Sequence, residues 1–501
     1  MNSCSSPTYE KWRRTLWPFE SFELKKIIPL ALIKFLVSLN YSILNSLKQT
    51  LVINSSGAGA EVIPVLKGWF VLPCAILITL IYYKLSNVLK RTTLFYTFLI
   101  GFISVVFICF FILYPNIDYY SPNESADTLT QIFSGKFSHW IAVYRNWIQS
   151  LIFITAELWG SVVILLLFWG FANQITTVEE AKKSYNIYIV AGDLAAMLVG
   201  PMIHFITNHM ASNNFKTTVH LLSMVLVVVG LLIIAIYWWT NKHVLTDKRF
   251  SFPTSLEKAD LPKTKPSFYQ SLKHIIKSKY LFHIAALVIG YGLAVNIVEV
   301  TYLAKLKVLY PNQTDYLAFY SSVFSIVGFV SMIFSLFVCS GIIRIFGWHF
   351  TAQISPWVIG TTGVFFFLLV LNQQNLTPFF QQYGLNTLTM IVFFGAFQNI
   401  ASKVVKYSFF DPTKEMAYIP LTYEEKVKGK AAIDVVGSRL GKSGSSWIQV
   451  GLIDILGTSS VLNITQYLIP IVLITVVAWS YSVKQLSKMF NEAKDTTPIT
   501  A

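Results

Sequence analysis

Residues 241–280 read NKHVLTDKRFSFPTSLEKADLPKTKPSFYQSLKHIIKSKY. This polar stretch carries Lys242, Lys248, Arg249, Lys258, Lys263, Lys265, Lys273, Lys277 and Lys279, and it is broken by Pro253, Pro262 and Pro266. It lies near the middle of a 501-residue chain that is 54% hydrophobic and only 13% charged. A soluble domain carries about 25% charged residues. The chain therefore reads as a polytopic membrane protein with one long basic interruption. In a soluble protein the net charge of +15 would point to nucleic acid. Here the basic residues sit mostly in short loops, where they set topology, and no nucleic-acid partner is expected.

Working outward from the interruption, apolar runs of about 20 residues mark candidate spans. Six precede it, at 27–47, 62–83, 93–114, 147–172, 186–207 and 219–240. Six follow, at 281–302, 316–339, 350–372, 384–406, 430–455 and 462–483. The first, fifth, tenth and eleventh are the least purely apolar, which suits helices facing a polar cavity. The expected fold is an all-α membrane protein of twelve transmembrane helices. Its parts are an N-terminal tail (1–26), a six-helix bundle (27–240), the basic linker (241–280), a second bundle (281–483) and a C-terminal tail (484–501). The six-plus-six layout resembles that of major-facilitator-type transporters, whose halves are repeats with a midplane site between them. The internal repeat is faint: Asn40 and Asn296 sit mid-span, with Lys48 and Glu299 following.

The positive-inside rule orients the chain. The N-terminal tail has Lys11, Arg13, Arg14, Lys25 and Lys26. Loops further on have Lys84, Lys90 and Arg91, then Lys182 and Lys183, then the 241–280 cluster, then Arg344 and the bases after residue 403, and the C-terminal tail has Lys484 and Lys488. The alternate loops are poor in bases, with Lys305 and Lys307 the one exception. Both termini are expected in the cytoplasm. Neither a signal peptide nor a long transit extension is apparent, so a bacterial inner membrane is the expected location. Cys4, Cys74, Cys109 and Cys339 are scattered, which indicates neither a disulfide framework nor a metal site.

Charges within apolar runs are costly and mark function by default. Glu157, in LIFITAELWGSVVILLLFW, is the clearest buried carboxylate. It is either a structural partner for a buried lysine or a coupling charge near a substrate. Glu299 lies nearer a helix end, as a mouth residue or a site residue. Lys48 read alone is a snorkelling terminal lysine. Lys67 and Asp193 also interrupt apolar runs. Residues 403–446 concentrate Lys403, Lys406, Lys414, Lys426, Lys428, Lys430, Arg439 and Lys442, and their sign points to an anionic substrate. Within them, GSRLGKS (437–443) has the wrong spacing for a phosphate loop and no preceding strand. Two readings stay open: Arg439 and Lys442 meeting phosphate oxygens, or a tight small-residue helix contact. No HExxH or GxSxG pattern occurs. Catalytic residues, metals and cofactors are not expected, and a membrane enzyme acting on a phosphorylated substrate would lack a visible catalytic group.

Several blocks together resemble the nucleotide transporter (ATP/ADP translocase) family of plastids and obligate intracellular bacteria. They are LNYSILNSLKQTLVINSSGAGAEVIPVLKGW, AELWGSVVILLLFWGFANQIT with EAKKSY, NKHVLTD, SLKHIIKSKYLFHIAALVIGYGLAVNIVEV, and KYSFFDPTKEMAYIPL through VKGKAAIDVVGSRLGKSG. The resemblance implies a twelve-helix carrier, expected to be monomeric in the bilayer, that moves ATP, ADP or a related nucleotide by alternating access. Counter-exchange is the expected mode; proton-coupled import of nucleoside triphosphates and NAD/ADP exchange are the alternatives. Matching motifs assign site roles to Lys48, Glu157, Glu299 and Lys430, with Lys428 competing for the last. Lys406, Arg439 and Lys442 are added as candidate phosphate contacts, and Tyr41 and Phe171 as candidates to stack the base, against the reading that aromatic stripes in bundles are packing. One departure stands out. Where ATP/ADP-exchanging members read close to LRDTKD, this chain reads LNSLKQ from Leu44 to Gln49. The lysine is kept, and the arginine and both acids are lost.

Overall fold

The computed structural model describes residues 21–133, 135, 137–247, 250, 278–421, 433 and 437–496. Twelve long helices organise it: α1 Ser21–Ile53, α2 Val62–Ser86, α3 Arg91–Leu113, α4 Trp147–Ile175, α5 Val178–Phe205, α6 Phe215–Val244, α7 Lys279–Leu309, α8 Gln313–Val338, α9 Cys339–Leu371, α10 Thr387–Ala417, α11 Ser438–Leu456 and α12 Thr465–Thr496. No strand occurs among the described residues. Eleven of the helices have the length and apolarity to cross a membrane. The twelfth, α11, falls short because its inner face is small or polar: Gly441, Ser443, Ser445, Ser446 and Gln449 are buried. The twelve helices overlie the twelve apolar runs, and they begin and end where local chemistry satisfies the free backbone groups. Thr177 and Glu180 form a reciprocal capping box at the start of α5, with bonds of 3.3 and 2.8 Å. Asn214, Ser278, Asn312 and Asn386 cap α6, α7, α8 and α10. Gly457, at φ 60°, closes α11 in the left-handed region.

Small residues set the helix spacing. Gly292 of α7 and Gly441 of α11 meet so closely that a Cβ on Gly441 would lie 2.8 Å from the Ile289 carbonyl oxygen. The 437–443 segment is thus the start of a helix in tight contact with α7, and this packing leaves open the reading of Arg439 and Lys442 as phosphate contacts. Helix pairs α5–α8 and α2–α11 are among those that join the first six helices to the last six. In α5–α8, the Gly200 N–H donates to Ser325 Oγ at 2.6 Å, and a Cβ on Gly328 would lie 2.6 Å from the Met197 nitrogen. In α2–α11, Gly68 packs under Trp447, whose Nε1–H donates to the Gly68 carbonyl at 3.3 Å.

Further ties between the halves gather at the end where α1 finishes and α8 begins. Lys307 Nζ donates to the Ile53 carbonyl at 2.7 Å and also to the Ala58 carbonyl. Gln313 Nε2 donates to the Asn54 carbonyl at 3.1 Å. His139 Nε2 lies 3.1 Å from Asp454 Oδ1. The two lysines that broke the charge alternation are therefore structural: Lys307 holds loop carbonyls, and Lys305 donates to Gln373 Oε1 at 2.6 Å. Of the expected linker, 241–244 extend α6, α7 starts at Lys279, and 251–277 lie outside the described residues.

Candidate functional site

Two carboxylates at mid-helix gather cations from both halves. Glu157 of α4 accepts from Lys48 Nζ of α1 at 2.6 Å, and the Lys48 side chain is only 3% exposed. Lys442 of α11 lies within electrostatic reach of the same carboxylate. Glu299 of α7 is held by two lysines. Lys67 of α2 reaches Oε2 at 3.4 Å from the first half. Lys403 of α10 reaches Oε1 at 3.3 Å from the second. Asn296, one turn before Glu299, donates to the Gly292 carbonyl at 2.7 Å, which leaves its Oδ1 to accept from Lys67 at 2.8 Å. Arg439 Nη2 donates to Ser161 Oγ at 2.5 Å, again across the halves.

Burying ions costs several kcal/mol each, which close pairing only partly offsets. Here Lys48, Lys67, Lys403, Arg439 and Lys442 face Glu157 and Glu299, an excess of three positive charges. Lys406 adds a cation already paired with Asp411 at 3.1 Å, so the excess is unchanged. Lys442 and Tyr407 are exposed at the helix surface, although each lies within reach of groups deep in the bundle. Aromatic rings lie beside these charges. Tyr41 packs on Gly160 and lies within reach of Tyr320 and Tyr407. Tyr291 stacks on Phe410 with centroids 5.0 Å apart, and Lys406 Nζ sits 4.4 Å from the Tyr407 ring centroid. An anion with several charges and a flat ring fits this chemistry. Among the described residues no group of His, Cys, Asp and Glu could hold a metal.

The structure brings together Lys48, Glu157, Glu299, Lys406, Arg439, Lys442 and Tyr41. It does not bring Phe171 to them. That ring is buried against Phe95 and Tyr237, under the Arg91 guanidinium at 4.7 Å, so it is core packing in the first half rather than a stacking platform. Lys428 and Lys430 lie outside the described residues. Lys67, Lys403 and Asn296 join the site without having been singled out as binding residues. Lys67 carried a signal as a charge in VIPVLKGW, and Lys403 stood in the basic stretch, but no spacing rule pairs either with Glu299.

The LNSLKQ departure also has a structural form. Asn45 Nδ2 donates across the halves to the Tyr320 hydroxyl at 3.3 Å, Ser46 Oγ donates back to the Ser42 carbonyl at 3.1 Å, and Gln49 is buried. With those three positions neutral, Lys48 is left with Glu157 as the carboxylate it contacts.

Comparison with known proteins identifies the family and the fold. The family model described as TLC ATP/ADP transporter matches residues 2–490. ADP,ATP carrier protein 1 of Chlamydia pneumoniae is 40% identical, over 98% of this chain and 96% of that protein. The chloroplastic ADP,ATP carrier protein 1 of Arabidopsis thaliana is 41% identical, over 94% and 75%. ADP,ATP carrier protein 3 of Rickettsia bellii is 36% identical, over 97% and 98%. Among solved structures, a D-xylose–proton symporter superposes with a TM-score of 0.55 at 13% identity, covering 95% of this chain and all (100%) of that one. A point mutant of the nucleoside transporter NupG gives 0.51 at 10% identity, covering 92% and 99%. At such identities these two likenesses concern the fold alone.

Proposed function

The chain belongs to the TLC ATP/ADP transporter family, and on that premise we propose that it exchanges ATP for ADP across a membrane by alternating access. It is a multi-pass transporter that leaves its substrate chemically unchanged. The observation that carries the mechanism is the double hold on Glu299, with Lys67 from one half and Lys403 from the other. Separating the halves at this depth breaks Lys67 from Glu299 and leaves buried charge uncompensated, at a cost of several kcal/mol. Nucleotide phosphates replace the lost partner. Their negative charge matches the cationic excess, with Arg439 offering forked contacts and the lysines point charges. Tyr41, Tyr291 and Tyr407 then stand where the base can stack. An empty carrier has no such replacement, so it switches sides slowly and exchange outruns net flow.

This reading places the protein in a bacterial inner membrane. The charge distribution of its loops supports cytoplasmic termini. The twelve helices act as two six-helix bodies joined by α5–α8 and α2–α11.

The test is uptake of labelled ATP into proteoliposomes. Uptake is expected to rise at least tenfold with internal ADP over empty vesicles and to persist with a protonophore. Uptake that needs no internal nucleotide and collapses with the protonophore would replace exchange by proton-coupled import. Competition by unlabelled NAD and other nucleoside triphosphates measures the specificity that the neutral LNSLKQ segment permits.

A further inference from the structure

A second basic feature lies outside the transport site. At the membrane face that carries the start of α1, a groove of about 720 Å³ runs between α1 and α6. Its floor is Leu24, Ile28 and Leu32 from α1 and Ile236, Trp238 and Trp239 from α6. Ile28 is 58% exposed, Trp238 51% and Trp239 46%, so the groove opens sideways, where lipid would lie. The volume is in the range of sites that hold small organic ligands.

The rim is cationic. Lys25 borders the groove, and Lys242, one turn beyond Trp238, rests over that ring at 4.8 Å from its centroid. Both lysines are exposed. The neighbouring charges are already matched: Lys26 pairs with Glu180 at 2.9 Å, and Glu23 with Lys183 at 3.4 Å. Neither Lys25 nor Lys242 has a carboxylate partner among the described residues. The arrangement is an apolar trough for acyl chains, an indole pair at headgroup depth and two unmatched cations above it. Basic pockets between transmembrane helices recognise anionic lipid headgroups in this way.

We propose that the α1–α6 groove binds one anionic phospholipid, with its phosphate between Lys25 and Lys242 and an acyl chain along Ile28, Leu32 and Ile236. Held there, the lipid joins the first and last helices of the N-terminal half at one membrane face.

The test uses the full-length protein in mixed bilayers and the quenching of tryptophan by brominated acyl chains. The Trp238→Phe/Trp239→Phe variant isolates the signal of the indole pair by difference. Brominated phosphatidylglycerol is expected to quench that signal at a lower mole fraction than brominated phosphatidylcholine, with a preference of roughly fivefold per lysine. Lys25→Gln/Lys242→Gln is expected to bring the two lipids level while nucleotide exchange continues. Equal quenching by the two lipids in the unaltered protein would overturn the proposal. So would a preference that survives loss of both lysines, or weak quenching by both lipids, the result if another part of the chain fills the groove.

Discussion

At the residue scale the site is an accounting of charge at membrane depth. Lys48 and Glu157 are 3% and 15% exposed, so neither is solvated well enough to stand alone. Removing one member of a buried pair leaves the other uncompensated, a loss of about 3–5 kcal/mol, whereas removing both is often nearly neutral. Glu157→Gln is therefore expected to lower both thermal stability and ATP exchange sharply. The double change Lys48→Gln/Glu157→Gln is expected to recover most of the stability without recovering exchange. Unfolding curves and labelled uptake on the same preparations check this, and exchange restored along with stability would make the pair merely structural. Glu299→Gln frees two lysines at once, Lys67 and Lys403, and its expected signature is exchange reduced by more than tenfold. These pairings were only partly legible beforehand. A carboxylate inside AELWGSVV announces itself by its cost, but the sequence gives no measure of which of many lysines lies 3 Å away. Phe171 shows the converse: an aromatic next to a charged helix looks available for stacking until its neighbours Phe95 and Tyr237 fill its faces.

At the scale of elements, glycine positions decide how closely helices approach. The α7–α11 crossing places Gly292 against Gly441, and Lys442, next along α11, lies within reach of Glu157. A Cβ on Gly441 would lie 2.8 Å from a backbone oxygen, which cannot swing aside. Gly441→Val is expected to cost about 1–3 kcal/mol by overpacking and to lower exchange by widening the site. Gly444→Ala is the control, since its Cβ would meet Leu293 at an ordinary 3.4 Å; equal unfolding temperatures for the two variants would refute the argument. On α5–α8, Gly328→Val would drive its side chain into the Met197 backbone nitrogen. This pair joins the two halves, so the expected effect is slower exchange at similar nucleotide affinity, read as a lower maximal rate with little change in half-saturation. The small-residue composition of GSRLGKSGSS is visible in the sequence. Its partner is not, because the contact depends on which face of α7 is turned toward it.

At the scale of the whole molecule, exchange of ATP for ADP moves about one net charge, worth about 2.3 kcal/mol per 100 mV. An imposed diffusion potential of about 100 mV is thus expected to shift the steady-state ATP/ADP ratio across the vesicle membrane by up to about fiftyfold. A ratio indifferent to potential would mean that a compensating charge travels with the nucleotide. The architecture that supports this motion was set by hydropathy. Twelve apolar runs around one basic interruption fix twelve helices, because in lipid every backbone group must be satisfied within its own segment. Caps such as Thr177–Glu180 and Asn214 then fix where those helices start. Tertiary structure alone decided which buried charges meet, that Glu299 is shared between the halves, that Lys305 and Lys307 are bound at a closed end, and that α11 presents a polar face inward. Helix formation depends on neighbours within a few residues. The pairing of Lys67 with Glu299 spans 232 positions and depends on helix rotation and packing, which no local pattern encodes.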